Sequence, residues 1–256
     1  MTSGRKARQQ RRAPAPPPTR STVGRRASPK VLAIGLGAIA SALAAAALAF
    51  ALTGGSSSPS TTNASTLPGA GTVTRLFRGL PQDGTVLGPP KAPVTMVEYV
   101  DLQCPFCRSF ELDVLPDIVR GYVRTGKLRI DARPVAVLGS DSERGRAAAL
   151  AAAAQNRFYE LSQLLYLNQG TENTGWLSES LIGSAYASIP GLDAQAAELG
   201  RGAGSVKADE QRIDAQATAF GLRQTPTILV GKTSGHLAEV NPDIASITAA
   251  ITRALR

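Results

Sequence analysis

The chain has 256 residues, and 28 basic against 19 acidic side chains give it a formal charge of +9. Nine of the basic residues (Arg5, Lys6, Arg8, Arg11, Arg12, Arg20, Arg25, Arg26, Lys30) fall in residues 1–30, which hold no acid. Removing them leaves 19 of each sign, which argues against a basic, nucleic-acid-binding body. Two cysteines exclude a disulfide-dense scaffold and a four-cysteine zinc site, and a single histidine, His236, excludes multi-histidine metal sites.

Residues 1–30 read as a basic cytoplasmic tail, with Ala13–Pro18 disordered or polyproline II in character. The run Val31–Leu52 carries no charge over 22 residues. At a rise of 1.5 Å per residue it spans about 33 Å, enough for the hydrocarbon core. A single transmembrane anchor is therefore expected at 31–53, with the charged tail inside and the remainder outside. A cleavable signal peptide is the rival reading, since Ala49–Phe50–Ala51 has small residues where a peptidase would cut, although the apolar run is long for one. Residues 54–88 are expected to be a flexible tether, starting with Gly54–Ser60 and carrying a weak glycosylation sequon at Asn63–Ala64–Ser65.

The domain itself is expected at 89–256. Val94–Val100 (VTMVEYV) reads as a buried strand. After Cys104–Pro105–Phe106–Cys107, the residues Phe110, Leu115, Ile118, Val119, Tyr122 and Val123 recur at helical spacing, with a kink at Pro116 and an end at Gly126. Leu128–Leu138 is predicted as a second strand, Pro134 marking an edge or bulge. A helical block at about 142–222 comprises Glu143–Leu167, Leu177–Ile189 and Ser205–Phe220. Strands at Thr227–Val230 and His236–Val240 follow, and a helix over Pro242–Leu255 with Pro in its first turn closes the chain. His236 reads as a surface residue and Trp176 as packing within the helical block.

The CxxC pair carries the chemistry. A zinc site would find at most half its ligands here, and a structural disulfide across two residues would constrain almost no loop. Redox chemistry remains, and the context suits it: the pair opens a helix directly after a strand. With Pro105 at the first helical position, Cys104 faces unsatisfied N–H groups and the positive end of the helix dipole, which favour its thiolate. Cys107, one turn further in, is expected to be more buried and less acidic. A carboxylate within an apolar strand, Glu98, is expected to have a raised pKa and to accept a proton from Cys107; the alternative is an ordinary solvent-facing residue.

Val94–Phe110 together with Gln224–Gly231 (QTPTILVG) resembles the thioredoxin superfamily, and most closely its DsbA-like branch of extracytoplasmic thiol–disulfide oxidoreductases. The resemblance runs from about residue 89 to the C-terminus. It implies an α/β thioredoxin fold with an inserted helical block, and it implies roles for particular residues. Cys104 and Cys107 match the nucleophilic and resolving cysteines. Pro226 matches the cis-proline facing the disulfide, Thr225 the residue whose backbone contacts substrate, and Glu98 the buried acid beneath the sulfurs. Phe106 stands where DsbA has His. Without an imidazole, Cys104 is expected to be less acidic than DsbA's cysteine and the disulfide less oxidising, while the ring offers apolar surface to unfolded polypeptide.

The implied function is the introduction of disulfides into exported proteins, without a cofactor or metal. The implied partners are exported proteins with free thiols and a membrane quinone-linked oxidase that regenerates the disulfide; nucleic acid is not among them. Two alternatives stay open: a reductase or isomerase kept reduced by a membrane donor, and a non-catalytic chaperone or binding protein. The charge asymmetry about residues 31–53 makes the topology testable: alkaline phosphatase fused at the C-terminus should be active outside the cytoplasm, and an inactive fusion would reverse the topology.

Overall fold

The computed structural model describes residues 66–256. The expected tail, the anchor at 31–53 and the tether up to residue 65 lie outside the described residues. Among the described residues no helix is long and apolar enough to cross a membrane. From residue 66 on, the expected tether is folded. Helix α1 (Ala70–Phe77) buries Ala70, Val73 and Phe77 along one face, and the short strands β1 (Gln82–Asp83) and β2 (Val86–Leu87) pair as a hairpin. Phe77 packs 5.7 Å from the Tyr159 ring, and Gln82 donates to Glu160 at 2.7 Å. Both contacts cross about 80 positions of sequence, so the sparse apolar content of this segment gave no hint of them.

Strand β3 (Val94–Val100) is buried at every position. The helix after it is continuous from 105 to 123 but changes register: α2 (Pro105–Ser109), a π-helical turn (Phe110–Val114), α3 (Leu115–Ile118) and a second π turn (Val119–Val123). The wider turn just before Pro116 accommodates a residue that cannot donate, so the expected kink takes the form of a register change. Gly126, at φ +77°, then reverses the chain.

Strand β4 (Leu128–Pro134) alternates buried and half-buried residues and runs parallel to β3. β2 pairs with β4 only at Ile130 and Asp131, so Pro134, paired with Val100 on the β3 side, stands where β4 is an edge, as expected. This residue also ends the strand, and the N–H of Val135 takes over by donating to Val100 at 2.8 Å. The inserted block comprises α4 (Ser140–Ala153), α5 (Phe158–Leu167), α6 (Glu179–Ala187), α7 (Ala194–Gly200) and α8 (Gly204–Phe220). The expected segment 143–167 is two helices, broken at Asn156, whose φ of +58° no helix can hold and whose side chain accepts from Gly84. Helix α7, capped by Asp193, was not anticipated in its Gly-rich surroundings.

Strands β5 (Thr227–Lys232) and β6 (Leu237–Val240) complete a six-stranded mixed sheet in the order β1-β2-β4-β3-β5-β6. In the last helix, α9 (Ile244–Ala254), Asp243 is the N-cap and accepts from Ser246 at 2.8 Å, so Pro242 stands before the helix and not in its first turn. The α/β thioredoxin arrangement expected of residues 89–256 is present, with the helical block between β4 and β5.

The two sheet faces have different covers. Met96, Val100, Ile130 and Ile228 pack under α1, the helix at 105–123, α5 and α9, whereas Val97, Tyr99 and Leu229 pack under α8. Glu98 shares the parity of Met96 and Val100 and so projects beneath the 105–123 helix. Because α1 completes that first layer, Phe77→Ala should cost about 3–5 kcal/mol of stability by urea unfolding of the full-length protein. A loss below about 1 kcal/mol would mean that α1 is an ornament on the fold.

Candidate active site

Strand β3 ends at Val100, and four residues later Cys104 caps the helix in extended conformation (φ −68°, ψ 122°) with Pro105 at the first helical position. The Cys104 carbonyl accepts the first intrahelical bond, from Arg108 at 3.0 Å. Its sulfur is therefore held where the first N–H groups of the helix have no other acceptor. Little of Cys104 reaches solvent, 4% of its surface, and Cys107 is fully buried. Both are thiols in this structure.

Their environments push them apart. The Cys104 pKa falls from 9.0 to about 6, chiefly through a hydrogen bond from the Cys107 thiol, against an opposing cost of burial. The Thr225 side chain and the N–H groups of Cys107 and Phe106 lower it further. Burial pushes Cys107 well above its ordinary value, although the backbone N–H of Asp101, 3.4 Å from its sulfur, favours the thiolate. The expected difference in acidity between the two sulfurs is thus present in the reduced form, although Cys104 is itself almost as buried as Cys107.

Cys104 Sγ lies 3.4 Å from the carbonyl oxygen of Thr225, and the Thr225–Pro226 peptide bond is cis. Pro226 is buried and Thr225 half-buried. Phe106 has 74% of its surface exposed, so its ring lies open two residues from Cys104. A cleft of about 560 Å³ adjoins this point, lined by Gln224, Pro226, Thr227, Glu239, Asn241 and Arg253 among others.

Glu98 is fully buried, and neither carboxyl oxygen has a hydrogen-bond partner among the described residues. Burial, followed by the nearby Glu111 and Asp131 carboxylates, raises its pKa well above the usual range. The solvent-facing alternative for Glu98 does not hold. The structure shows no hydrogen bond from Glu98 to Cys107.

The sequence reading missed Glu111. It is buried, accepts from Gln163 Nε2 at 2.8 Å, and has a pKa raised to about 8 by burial. Its position four residues after Cys107, one helical turn on, was a readable signal that the two share a face. Tyr159 and Tyr166 lie near both acids, and their phenols are pushed well above the ordinary range, chiefly by burial. Asp101 and Gln103, within the strand-to-helix loop, were also missed. His236 is exposed as expected, and Trp176 packs against the core with its ring N–H buried and without an acceptor among the described residues.

A family model described as Thioredoxin matches residues 81–252. The probable disulfide bond formation protein D of Bacillus cereus is 29% identical over 173 residues, covering 66% of this chain and 78% of that protein. The crystal structure of oxidised BdbD from Bacillus subtilis superposes with a TM-score of 0.61 at 22% identity, over 68% of this chain and 93% of that one, a likeness of fold. A thioredoxin-like oxidoreductase from Silicibacter pomeroyi DSS-3 superposes with a TM-score of 0.54 at 27% identity, over 71% and 96% of the two chains.

The sulfur asymmetry sets a pH dependence. Cys104 ionises near 6 when folded and near 9 when unfolded, so its contribution to the stability of the reduced protein is full above pH 9. That contribution is lost as the pH falls toward 6. Iodoacetamide alkylation of the reduced protein should accordingly show a midpoint near pH 6, and a midpoint near 9 would mean that neither the Cys107 thiol nor the helix N-terminus acts on the sulfur.

Proposed function

The chain belongs to the thioredoxin family, and from that premise we propose that it is a membrane-anchored, extracytoplasmic oxidase that introduces disulfides into exported proteins. Its enzyme class is thiol:disulfide oxidoreductase, and the relatives named for disulfide bond formation support the oxidising direction. One observation carries the reading: Cys104 is acidified at a helix N-terminus while Cys107, one turn inside, is buried and neutral. Stabilising the Cys104 thiolate stabilises the reduced form, and a pair with a stabilised reduced form is an oxidant.

In the forward reaction a substrate thiolate attacks Cys104 Sγ of the oxidised pair. The Cys104–Cys107 bond breaks, its electron pair goes to Cys107, and a mixed disulfide links Cys104 to the substrate. A second substrate thiolate then attacks the substrate sulfur of that link, releasing Cys104 as thiolate and leaving the substrate with a disulfide. The low pKa of Cys104 makes it the better leaving group in this second step. The backbone of Thr225, beside Cys104, presents hydrogen-bonding groups to an extended substrate in the manner of strand addition. The exposed Phe106 ring contributes apolar contact, and the cleft beyond Pro226 receives the chain that follows.

Glu98 is assigned as the proton acceptor for Cys107, supported by its burial, its unpartnered oxygens and its raised pKa. The location rests on the basic residues 1–30 and the uncharged run at 31–53. A quinone-linked membrane oxidase regenerates the disulfide, and exported polypeptides with free thiols are the substrates.

Two measurements on the full-length protein test the assignment. Cys107→Ala should accumulate mixed disulfides with substrate proteins and Cys104→Ala should not; trapping by Cys104→Ala would exchange the roles. The reduction potential should fall between about −270 mV, typical of thioredoxin, and about −120 mV, typical of DsbA. A value at or below the thioredoxin end would make the protein a reductase.

A further inference from the structure

Asp101 stands three residues before Cys104, is fully buried, and has every one of its polar atoms hydrogen-bonded. Its Oδ1 accepts from the Gln103 N–H at 2.8 Å and from the Ser142 hydroxyl at 2.7 Å. Its Oδ2 accepts from the Val137 N–H at 2.8 Å. The Asp101 carbonyl accepts from the Cys104 N–H at 3.0 Å and from the Tyr166 hydroxyl at 3.1 Å. The remaining atom, its own N–H, donates to Cys107 Sγ at 3.4 Å. The side chain of Asp101 therefore holds the peptide that carries this donor, through partners in the loop after β4 and at the start of α4.

Gln103 secures the same loop from the other side. Its Nε2 donates to the Leu138 carbonyl at 3.0 Å, to Ser142 Oγ at 3.1 Å and to Asn173 Oδ1 at 3.3 Å, and its Oε1 accepts from the Asn173 N–H at 2.8 Å. A fully buried glutamine with four such bonds leaves the loop little freedom to turn the Asp101 N–H away from sulfur.

We propose that Asp101 is a positioning residue for the resolving sulfur, its carboxylate aiming the Asp101 N–H at Cys107 so that Cys107 can leave as a thiolate when the disulfide opens. The proposal rests on the oxidoreductase function above. The step it serves is the first one: the substrate thiolate bonds to Cys104 Sγ, the Cys104–Cys107 bond breaks, and its electron pair settles on Cys107. Burial opposes that charge more than anything else near Cys107, and the Asp101 N–H is the backbone donor that offsets it. An amide in place of the carboxylate would turn an N–H₂ group toward donors that now meet an acceptor, and the loop would have to shift.

The test uses the oxidised full-length protein mixed with a peptide bearing a single cysteine, the freed Cys107 thiol being counted by acid quench and maleimide labelling. Asp101→Asn should slow disulfide opening roughly tenfold, the scale of losing a hydrogen bond to a charged group. The alkylation midpoint of Cys104 in the reduced protein should stay where it is. Ser142→Ala, which removes one bond to Asp101 and keeps the carboxylate, should slow opening in the same direction by a smaller factor; it carries the test if Asp101→Asn does not fold. Wild-type opening rates in the folded variants would overturn the proposal. So would a slower opening matched by an equal shift in the Cys104 midpoint, since the whole motif would then have moved. If the unmodified protein forms no mixed disulfide with the peptide, the oxidoreductase function falls first and takes this proposal with it.

Discussion

The N–H groups in the first turn of a helix have no acceptor within the helix, and something must answer them. In this chain the N-cap is Cys104, whose carbonyl accepts from Arg108 and whose thiolate the N–H groups of Phe106 and Cys107 favour. Pro105 helps by lacking an N–H and by fixing the backbone for the first turn, so the helix begins at the cysteine pair and nowhere earlier. Strand β3, buried at all seven positions, delivers the pair to the end of the central strand. From that placement follow the acidity of Cys104, the burial of Cys107 one turn inside, and the approach of Thr225 from the β5 side.

The same face of the sheet tolerates groups that would ordinarily be avoided. Glu98 and Glu111 lie in one buried layer with Tyr159 and Tyr166 beneath the sulfurs. Burial raises the pKa of both carboxyls, and the Glu111 carboxylate raises that of Glu98 further. Their folded-state pKa values exceed the unfolded ones, so their contribution to stability is present below the ordinary carboxyl range. It fades as the pH rises, for Glu111 through about 8. Cys104 has the opposite dependence, so the reduced protein carries opposing pH terms in a single layer.

The helical block between β4 and β5 does more than cover the sheet. Ser142 at the start of α4, Asn173 after α5, and Tyr166 and Gln169 near the end of α5 all bond to residues 101–104. Arg108, just past the cysteines, donates to the Tyr166 carbonyl at 3.0 Å. The geometry of the strand-to-helix loop is therefore set jointly by the thioredoxin-like sheet and by the insertion, which joins the cysteine pair to the packing of the block.

Much of the site was legible along the chain because its elements are local. The run VTMVEYV, the cysteines at a helix start and the Thr-Pro pair before a strand each announce themselves within a dozen residues. Glu111 was within reach of the same reasoning through its one-turn spacing from Cys107. The rest depended on distant partners. Helix α1 makes sense only once Phe77 meets Tyr159, the break at Asn156 only beside Gly84, and the roles of Asp101 and Gln103 only when loops some 35 to 70 residues away close over them. Residue order by itself placed the cysteine pair at a helix start with Cys104 at the positive end, because helix-terminus electrostatics act over a single turn. Only the tertiary structure decided which polar groups share the buried layer and which N–H faces Cys107. Hydrogen bonds between distant segments exist only after the chain has packed.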